Sequence, residues 1–263
     1  MILDIDERRS DYYGLLAAES KSRLWRLISR IEKPRMRRAE VQAMDRYETV
    51  IVSSPDDRVK LPDTTLVRSP TLQAISSQSS LVARKGYRHG VVFVGRLSYY
   101  ANIEAIEWFA LRVWPLVRAR EPEAILTIVG EDPPESLKRL ADESIVVTGR
   151  VERVAPYYQS ALVSVVPVEY ATGAQMKLIE SMQLGAASII TPRVATGMGL
   201  LNGTHALVIE RDPAAWATAV FSLLRDHRKT DQLRMAAAHW VKENYSDDAI
   251  LSSISRIVDR NQP

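Results

Sequence analysis

At 263 residues, 46% hydrophobic and 25% charged, the chain has room for one large domain or two small ones with a sizeable core. Lys and Arg number 35 against 32 Asp and Glu, a balance that excludes the broad basic field of a nucleic-acid binder. The absence of cysteine excludes disulfides and thiolate metal sites.

The first ten residues, MILDIDERRS, carry charges at positions 4, 6, 7, 8 and 9, unlike a basic-then-apolar signal peptide. No run approaches the roughly 18 apolar residues of a membrane span. The expectation is a cytoplasmic protein that can touch a membrane surface, at the inner face, without crossing it. A strand is predicted over 1–5, a long charged helix over 19–46, a strand over 49–53 and a strand-like run over 64–68. Three short strands and one helix are too little for an independent open sheet, so 1–70 reads as a partial α/β domain. The Ser-, Gln- and Thr-rich stretch that follows predicts a linker over 71–87.

Between Lys21 and Arg38 there are eight basic residues and one acidic, with Leu24, Leu27, Ile28 and Ile31 as an apolar stripe. The pattern fits a core-facing helix with a solvated cationic face. It is also compatible with a basic amphipathic helix attracted to anionic lipid or to a lipid-diphosphate acceptor.

From about residue 88 the pattern changes. VVFVG (91–95), ILTIVG (125–130), IVVTG (145–149), LVSVVPV (162–168), SIIT (188–191) and ALVIE (206–210) are apolar on consecutive positions, as for strands covered on both faces. Helical patterns are predicted between them over about 103–120, 135–142, 174–184, 213–226 and 230–244. This alternation predicts a doubly wound parallel sheet, Rossmann-like, over 88–244, followed by a C-terminal helix over 245–263 packing back on the N-terminal part.

In such a sheet, ligands bind beyond the carboxyl ends of the strands. There the sequence places Gly95 with Arg96, Gly130 with Glu131, Gly149 with Arg150, and the loop from Val168 to Gly173. Glycines admit a ligand to backbone N–H groups and Arg offers a forked cation for phosphate oxygens. Neither GxGxxG nor GxxxxGK[ST] occurs, which lowers dinucleotide enzymes and P-loop kinases in rank. Gly173 and Ala174 stand where a helix is predicted to begin, and Lys177 and Glu180 follow on one face of it. A helix start can hold a pyrophosphate, Lys177 can neutralise a departing diphosphate, and Glu180 can accept from ribose hydroxyls. A plain surface Lys–Glu pair accounts for the spacing as well.

Asp4 and Asp6 form a D-x-D pattern, read as an acidic strand end and not as a metal site. The histidines 89, 205, 227 and 239 lack ligand spacing. No metal and no cofactor are expected.

Three stretches together, VVFVGRLSYYANIEAIEWFALRVWPLVRAREPEAILTIVG, VTGRVERVAPYYQSALVSVVPV and TGAQMKLIESMQLGAASIITP with GMGLL, resemble the C-terminal domain of glycosyltransferase family 4. The helix around Lys177 is similar to the G-x-x-x-K-x-x-E-A-M helix of its bacterial exopolysaccharide-type branch. The resemblance implies the two-domain B-type glycosyltransferase fold, with 88–244 as the nucleotide-sugar-binding domain, and a retaining transfer from a nucleotide diphosphate sugar to a glycan or lipid-linked acceptor. It implies Arg96 and Lys177 as the catalytic, diphosphate-facing cations. Gly95, Gly173 and Ala174 would join them on the diphosphate, Glu180 would bind the ribose, Arg150 and Val151 the base, and Tyr157 would pack beneath the base loop.

Many members carry an acidic residue facing the donor sugar eight positions before the helix glutamate. Thr172 stands there instead, and Glu169, eleven positions before, does not fill the slot. The front 70 residues resemble the last third of the family's N-terminal domain, with about a hundred residues not represented. An alternative is therefore a truncated, non-catalytic nucleotide-sugar-binding paralogue, acting as a dimer or as a partner of another glycosyltransferase.

Overall fold

The computed structural model describes residues 1–5, 7–20, 22–68, 90–170 and 172–260. Asp6, Lys21, His89 and the linker expected over 71–87 lie outside the described residues.

The front lobe runs β1 (Ile2–Ile5), α1 (Arg9–Glu19), α2 (Arg23–Met44), β2 (Thr49–Val52), α3 (Pro55–Lys60) and β3 (Thr65–Leu66). Its strands form a parallel sheet in the order β1-β2-β3. The helix expected over 19–46 is found as α2, and α1 precedes it, a helix the pattern does not predict. Ser20 adopts an extended backbone and ends α1, and the Ser22 side chain accepts from the Trp25 N–H to cap α2, as serine does at helix starts. The pair closes as a hairpin in which Glu40 accepts from both the backbone N–H and the hydroxyl of Ser10.

A core-facing role for most of the α2 stripe is corrected: Ile28 is half-buried, but Leu24, Leu27 and Ile31 are 65%, 59% and 55% exposed. The helix turns inward instead with fully buried Ser29 and with Trp25, whose ring lies 5.3 Å from that of Tyr100. A large aromatic with a partner outweighs three aliphatics whose opposite side has nothing to pack on.

The second domain begins with β4 (Val91–Val94). Then α4 (Tyr100–Trp108) passes through a π turn (Phe109–Val113) into α5 (Trp114–Arg118). There follow β5 (Leu126–Val129), α6 (Glu135–Lys138), β6 (Ile145–Val147), α7 (Ala155–Ser160), β7 (Val163–Val166), α8 (Met176–Gln183) and β8 (Ala187–Ile190). The domain closes with α9 (Pro192–Met198), β9 (Leu207–Val208), α10 (Pro213–Arg225), α11 (His227–Tyr245) and α12 (Asp247–Arg260). Among the described residues its strands form one sheet of order β6-β5-β4-β7-β8-β9, every pair parallel.

All four residues of β4, β7 and β8 are buried, as the unbroken apolar runs require. One core layer gathers Phe93, Phe109, Trp114 and Trp216, and another Leu178, Ile179, Met182 and Trp240. The winding reverses between β4 and β7, so the chain leaves these adjacent strands in opposite directions and opens a crevice beyond their carboxyl ends.

The front lobe lies against that end. Tyr12 of α1 stacks on Tyr99 at 5.3 Å, the Tyr170 hydroxyl donates to Glu19 O at 3.0 Å, and the Ser54 hydroxyl donates to Gly197 O at 2.9 Å. At the far end of the chain α12 packs on α11, burying Ile250 and Ile257. The front lobe meets this region through Arg68, whose guanidinium lies over the rings of Trp240 and Tyr245.

Candidate functional site

The loop after β4 is fixed by its neighbour. Gly95 N–H donates to Val129 O at 3.0 Å and Leu97 N–H to Glu131 O at 3.1 Å, so the β4 ladder continues past the strand. The contact is so close that a Cβ on Gly130 would stand 1.9 Å from Gly95 O, and only glycine fits. Arg96, on the same loop, has its side chain 70% exposed and holds Glu131 Oε1 at 3.2 Å through Nε.

Across the crevice, Gly173 takes a φ of +63°, a left-handed turn that aims the chain into α8. The helix begins at Met176, so Gly173 and Ala174 precede its first turn and Lys177 lies within it. In that turn the Leu178 and Ile179 N–H groups donate to Gln175 O at 2.9 and 3.3 Å, and those of Met176 and Lys177 before them have no carbonyl of their own helix to bind. The Lys177 ammonium donates to Asn102 Oδ1 and sits 5.8 Å from the centre of the Phe93 ring. Desolvation pushes its pKa down to about 8. Among the described residues no carboxylate lies within ion-pairing distance, and the pair with Glu180 that the spacing alone allowed does not form.

Asn102 escaped sequence reasoning. Its amide NH2 donates to Arg96 O at 2.9 Å while its oxygen accepts from Lys177, so one side chain joins the loop after β4 to the first turn of α8. Its position in the first turn of a helix leaving the same rim was the available signal. Tyr158, beside the expected Tyr157, makes the contact to α8. It is fully buried and its hydroxyl donates to Lys177 O at 2.8 Å, fastening α8 from below. Tyr157 is partly buried and packs with Val151 in one apolar cluster. Arg150 is exposed and Glu180 half-buried, and burial raises the pKa of the Glu180 carboxyl.

At position 172, where an acidic residue was expected of the family, the Thr172 hydroxyl donates to Glu7 Oε1 at 2.5 Å. The front lobe thus brings a carboxylate to that point from a residue 165 positions away. Glu169 is half-buried, with burial raising its pKa against the pull of Arg211 and Arg193. Among the described residues no grouping of three His, Cys, Asp or Glu is arranged to hold a metal ion.

A crevice at the winding reversal, edged by glycines, with a cation and a helix start, is suited to an anionic ligand. The family model described as "Glycosyl transferases group 1" matches residues 88–226. The chain belongs to this family. Among curated proteins, a 44.6 kDa protein of the cps region of Klebsiella pneumoniae is 23% identical over 173 residues, covering 62% of this chain and 44% of that protein. Among solved structures, sucrose-phosphate synthase from Thermosynechococcus elongatus superposes with a TM-score of 0.71 at 18% identity, covering 98% of this chain and 67% of that one.

A structure of TarM of S. aureus with fondaparinux, alpha-GlcNAc-glycerol and UDP gives a TM-score of 0.70 at 13% identity over 85% of this chain and 46% of that chain. HepE of Anabaena with UDP and glucose gives 0.64 at 14% identity over 86% and 67%. The chain thus has the Rossmann-like α/β fold of B-type glycosyltransferases, and it spans less than half the length of the Klebsiella protein and of TarM.

Proposed function

We propose that the crevice binds a nucleotide diphosphate sugar and that the protein transfers its glycosyl unit, with retention, to a glycan or lipid-linked acceptor. One observation carries the reading: Lys177 holds a desolvated cation against a neutral amide and a ring face, with no counterion among the described residues. A partly buried, desolvated charge left uncompensated is costly, and a diphosphate compensates it.

In this reading Gly95, Gly173 and Ala174 allow the diphosphate to approach the backbone, Lys177 and Arg96 stabilise it as negative charge builds on the leaving group, and Glu180 accepts from the ribose hydroxyls. Arg150 and Val151 border the base. That HepE and TarM structures contain UDP supports a nucleotide in the corresponding crevice, and the Klebsiella protein's cps region supports a place in polysaccharide synthesis near the exopolysaccharide-type branch of family 4. Calorimetry with UDP, GDP and UDP-glucose tests the site. Micromolar binding to at least one of them is expected, weakened about tenfold or more in Glu180→Ala through loss of a charged hydrogen bond. Heat flat for every nucleotide would refute the donor site.

The acceptor side involves α2. Leu24, Leu27 and Ile31 are exposed beside Arg23, Arg26 and Arg30, a combination that binds anionic interfaces at about 1 kcal/mol per well-placed Arg. No helix among the described residues is long and apolar enough to cross a membrane. The protein is expected to float with phosphatidylglycerol vesicles at low salt, and to lose them in 0.5 M NaCl or when Leu27 and Ile31 are both changed to Ser. Equal flotation with neutral phosphatidylcholine vesicles would contradict the electrostatic part.

A further inference from the structure

The loop between β7 and α8 is held by the front lobe at two points. The Tyr170 hydroxyl donates to Glu19 O at 3.0 Å, and two positions later the Thr172 hydroxyl donates to Glu7 Oε1 at 2.5 Å. Thr172 is where the chain turns toward α8, with Gly173 at a φ of +63° and the helix beginning at Met176. Within the second domain the same turn is tied by Gln175, whose side chain donates to Thr172 O at 3.1 Å and whose N–H donates to Met198 Sδ at 3.2 Å. Gln175 does not cap its own helix with that side chain. The start of α8 is therefore placed by what surrounds it.

Glu7 stands between β1 and α1, and both of its oxygens are engaged: Oε1 by Thr172, and Oε2 by Arg9 Nε at 3.4 Å. A carboxylate paired in this way is turned to the protein and not to a ligand. A hydrogen bond to a charged acceptor is roughly twice as strong as a neutral one, which makes this the firmer of the two ties from the front lobe. Glu7 also faces the other loop of the crevice. Its charge adds to the rise that burial imposes on the hydroxyls of Tyr12 and Tyr99, whose rings stack where α1 meets the loop after β4.

We infer that Glu7 is a positioning residue for the crevice: through the Thr172 hydroxyl it fixes the Thr172–Gly173 turn, and with it the start of α8 that carries Lys177. A glycine turn has more conformational freedom to lose than any other, and a misplacement of about 1 Å at a site that must meet a ligand costs up to about a hundredfold. Nucleotide affinity in the second domain thus depends on a carboxylate of the front lobe that does not touch the nucleotide. The inference rests on the donor-site reading for what the helix start binds. Such coupling is reciprocal, so a nucleotide at α8 tightens the hold on the Glu7 loop by the same factor.

Calorimetry with UDP and GDP, beside hydrogen exchange of the full chain, tests this on wild type, Glu7→Ala, Thr172→Val, the double variant and Thr172→Ser. Valine keeps the shape of threonine and removes only the hydroxyl, and serine restores it. Glu7→Ala and Thr172→Val are each expected to bind nucleotide about fivefold or more weakly than wild type. The double variant should bind no more weakly than either, because two residues that act through one hydrogen bond are not additive, and Thr172→Ser should recover the wild-type affinity. Without ligand, exchange over 173–180 should quicken in Glu7→Ala and Thr172→Val and not in Thr172→Ser. UDP should slow exchange over 8–19 in wild type, and much less in Thr172→Val.

Nucleotide bound equally by every chain, or a loss in the double variant equal to the product of the two single losses, overturns the positioning role and leaves the donor site standing. A fall in unfolding temperature without a change in affinity belongs to the first of these results and makes the contact a structural one. If no chain binds a nucleotide while exchange over 173–180 changes as expected, the donor site falls and the hold of Glu7 on the turn stands. Should Glu7→Ala fail to fold, Thr172→Val and Thr172→Ser carry the test.

Discussion

Replacing Lys177 by methionine is expected to lower glycosyl transfer by about 100- to 1,000-fold, the usual effect of removing one charge-stabilising donor from a transition state, without loss of stability. The two halves of this result come from one fact. An ammonium whose pKa is brought from 10.5 to about 8 is held against its own solvation, at a cost of about 3 kcal/mol at pH 7, reduced by its hydrogen bond to Asn102. Methionine keeps the stem and removes the charge, so the variant should unfold at least as high as wild type at pH 7.

The pH dependence gives the sign. The folded pKa lies below the unfolded one, so the penalty is complete below about pH 8 and fades as pH rises to 10.5, and over that interval wild type should gain stability relative to the variant. Diphosphate binding should weaken above pH 8, by at most tenfold per pH unit, because the ligand needs the proton in place. Lys177→Arg should abolish that decline, since guanidinium does not titrate there. Parallel loss of transfer and unfolding temperature in Lys177→Met would mean that Lys177 serves the fold.

The second large effect is expected at Gly130→Ala. The new methyl would stand 1.9 Å from Gly95 O and 2.7 Å from Leu97 Cγ, and neither can retreat. Leu97 is fully buried, and Gly95 is tied by its N–H to Val129 O. Relief requires breaking the hydrogen bonds that extend the β4 ladder, and a destabilisation of about 4 kcal/mol or more follows, equivalent to roughly 10 °C in unfolding temperature for a chain of this size. Gly197→Ala, inside α9 with nothing within 4 Å of the added carbon, is the control and should be neutral or slightly stabilising. Similar melting of the two variants would show that the loop after β4 is pliable, contrary to its geometry.

The strands of the second domain were legible because each is a run of buried residues covered on both faces. VVFV, LTIV, VSVV and ASII appear in the structure as β4, β5, β7 and β8. The helix of Lys177 was legible from its periodicity, although it starts at Met176 and not at 174. The short α7 and α9 were not, although α6 was: α9 spans seven residues opened by Pro192 and capped by Thr191, too short for a period to emerge. α1 was not legible either; its end and the start of α2 turn on Ser20 and Ser22, whose roles depend on local backbone geometry.

The rim glycines were readable as chemistry because strand ends and helix starts are local features. The partnerships were not. Asn102 meets Lys177 from 75 positions away, and Glu7 meets Thr172 from 165, and no spacing rule reaches across such distances. The exposed face of α2 had the same difficulty, since a stripe gives a direction on the helix without saying what stands opposite.

Asparagine at 102 has a meaning that aspartate would not share. Its amide faces a carbonyl on one side and an ammonium on the other, and both contacts are satisfied only while the group is uncharged and oriented one way. An aspartate would lose its donor to Arg96 O and close an ion pair on Lys177, leaving the cation spoken for before any ligand arrived. The difference between an open anion cradle and a self-quenched one is here a single nitrogen atom, and the loop after β4 and the start of α8 would be altered together.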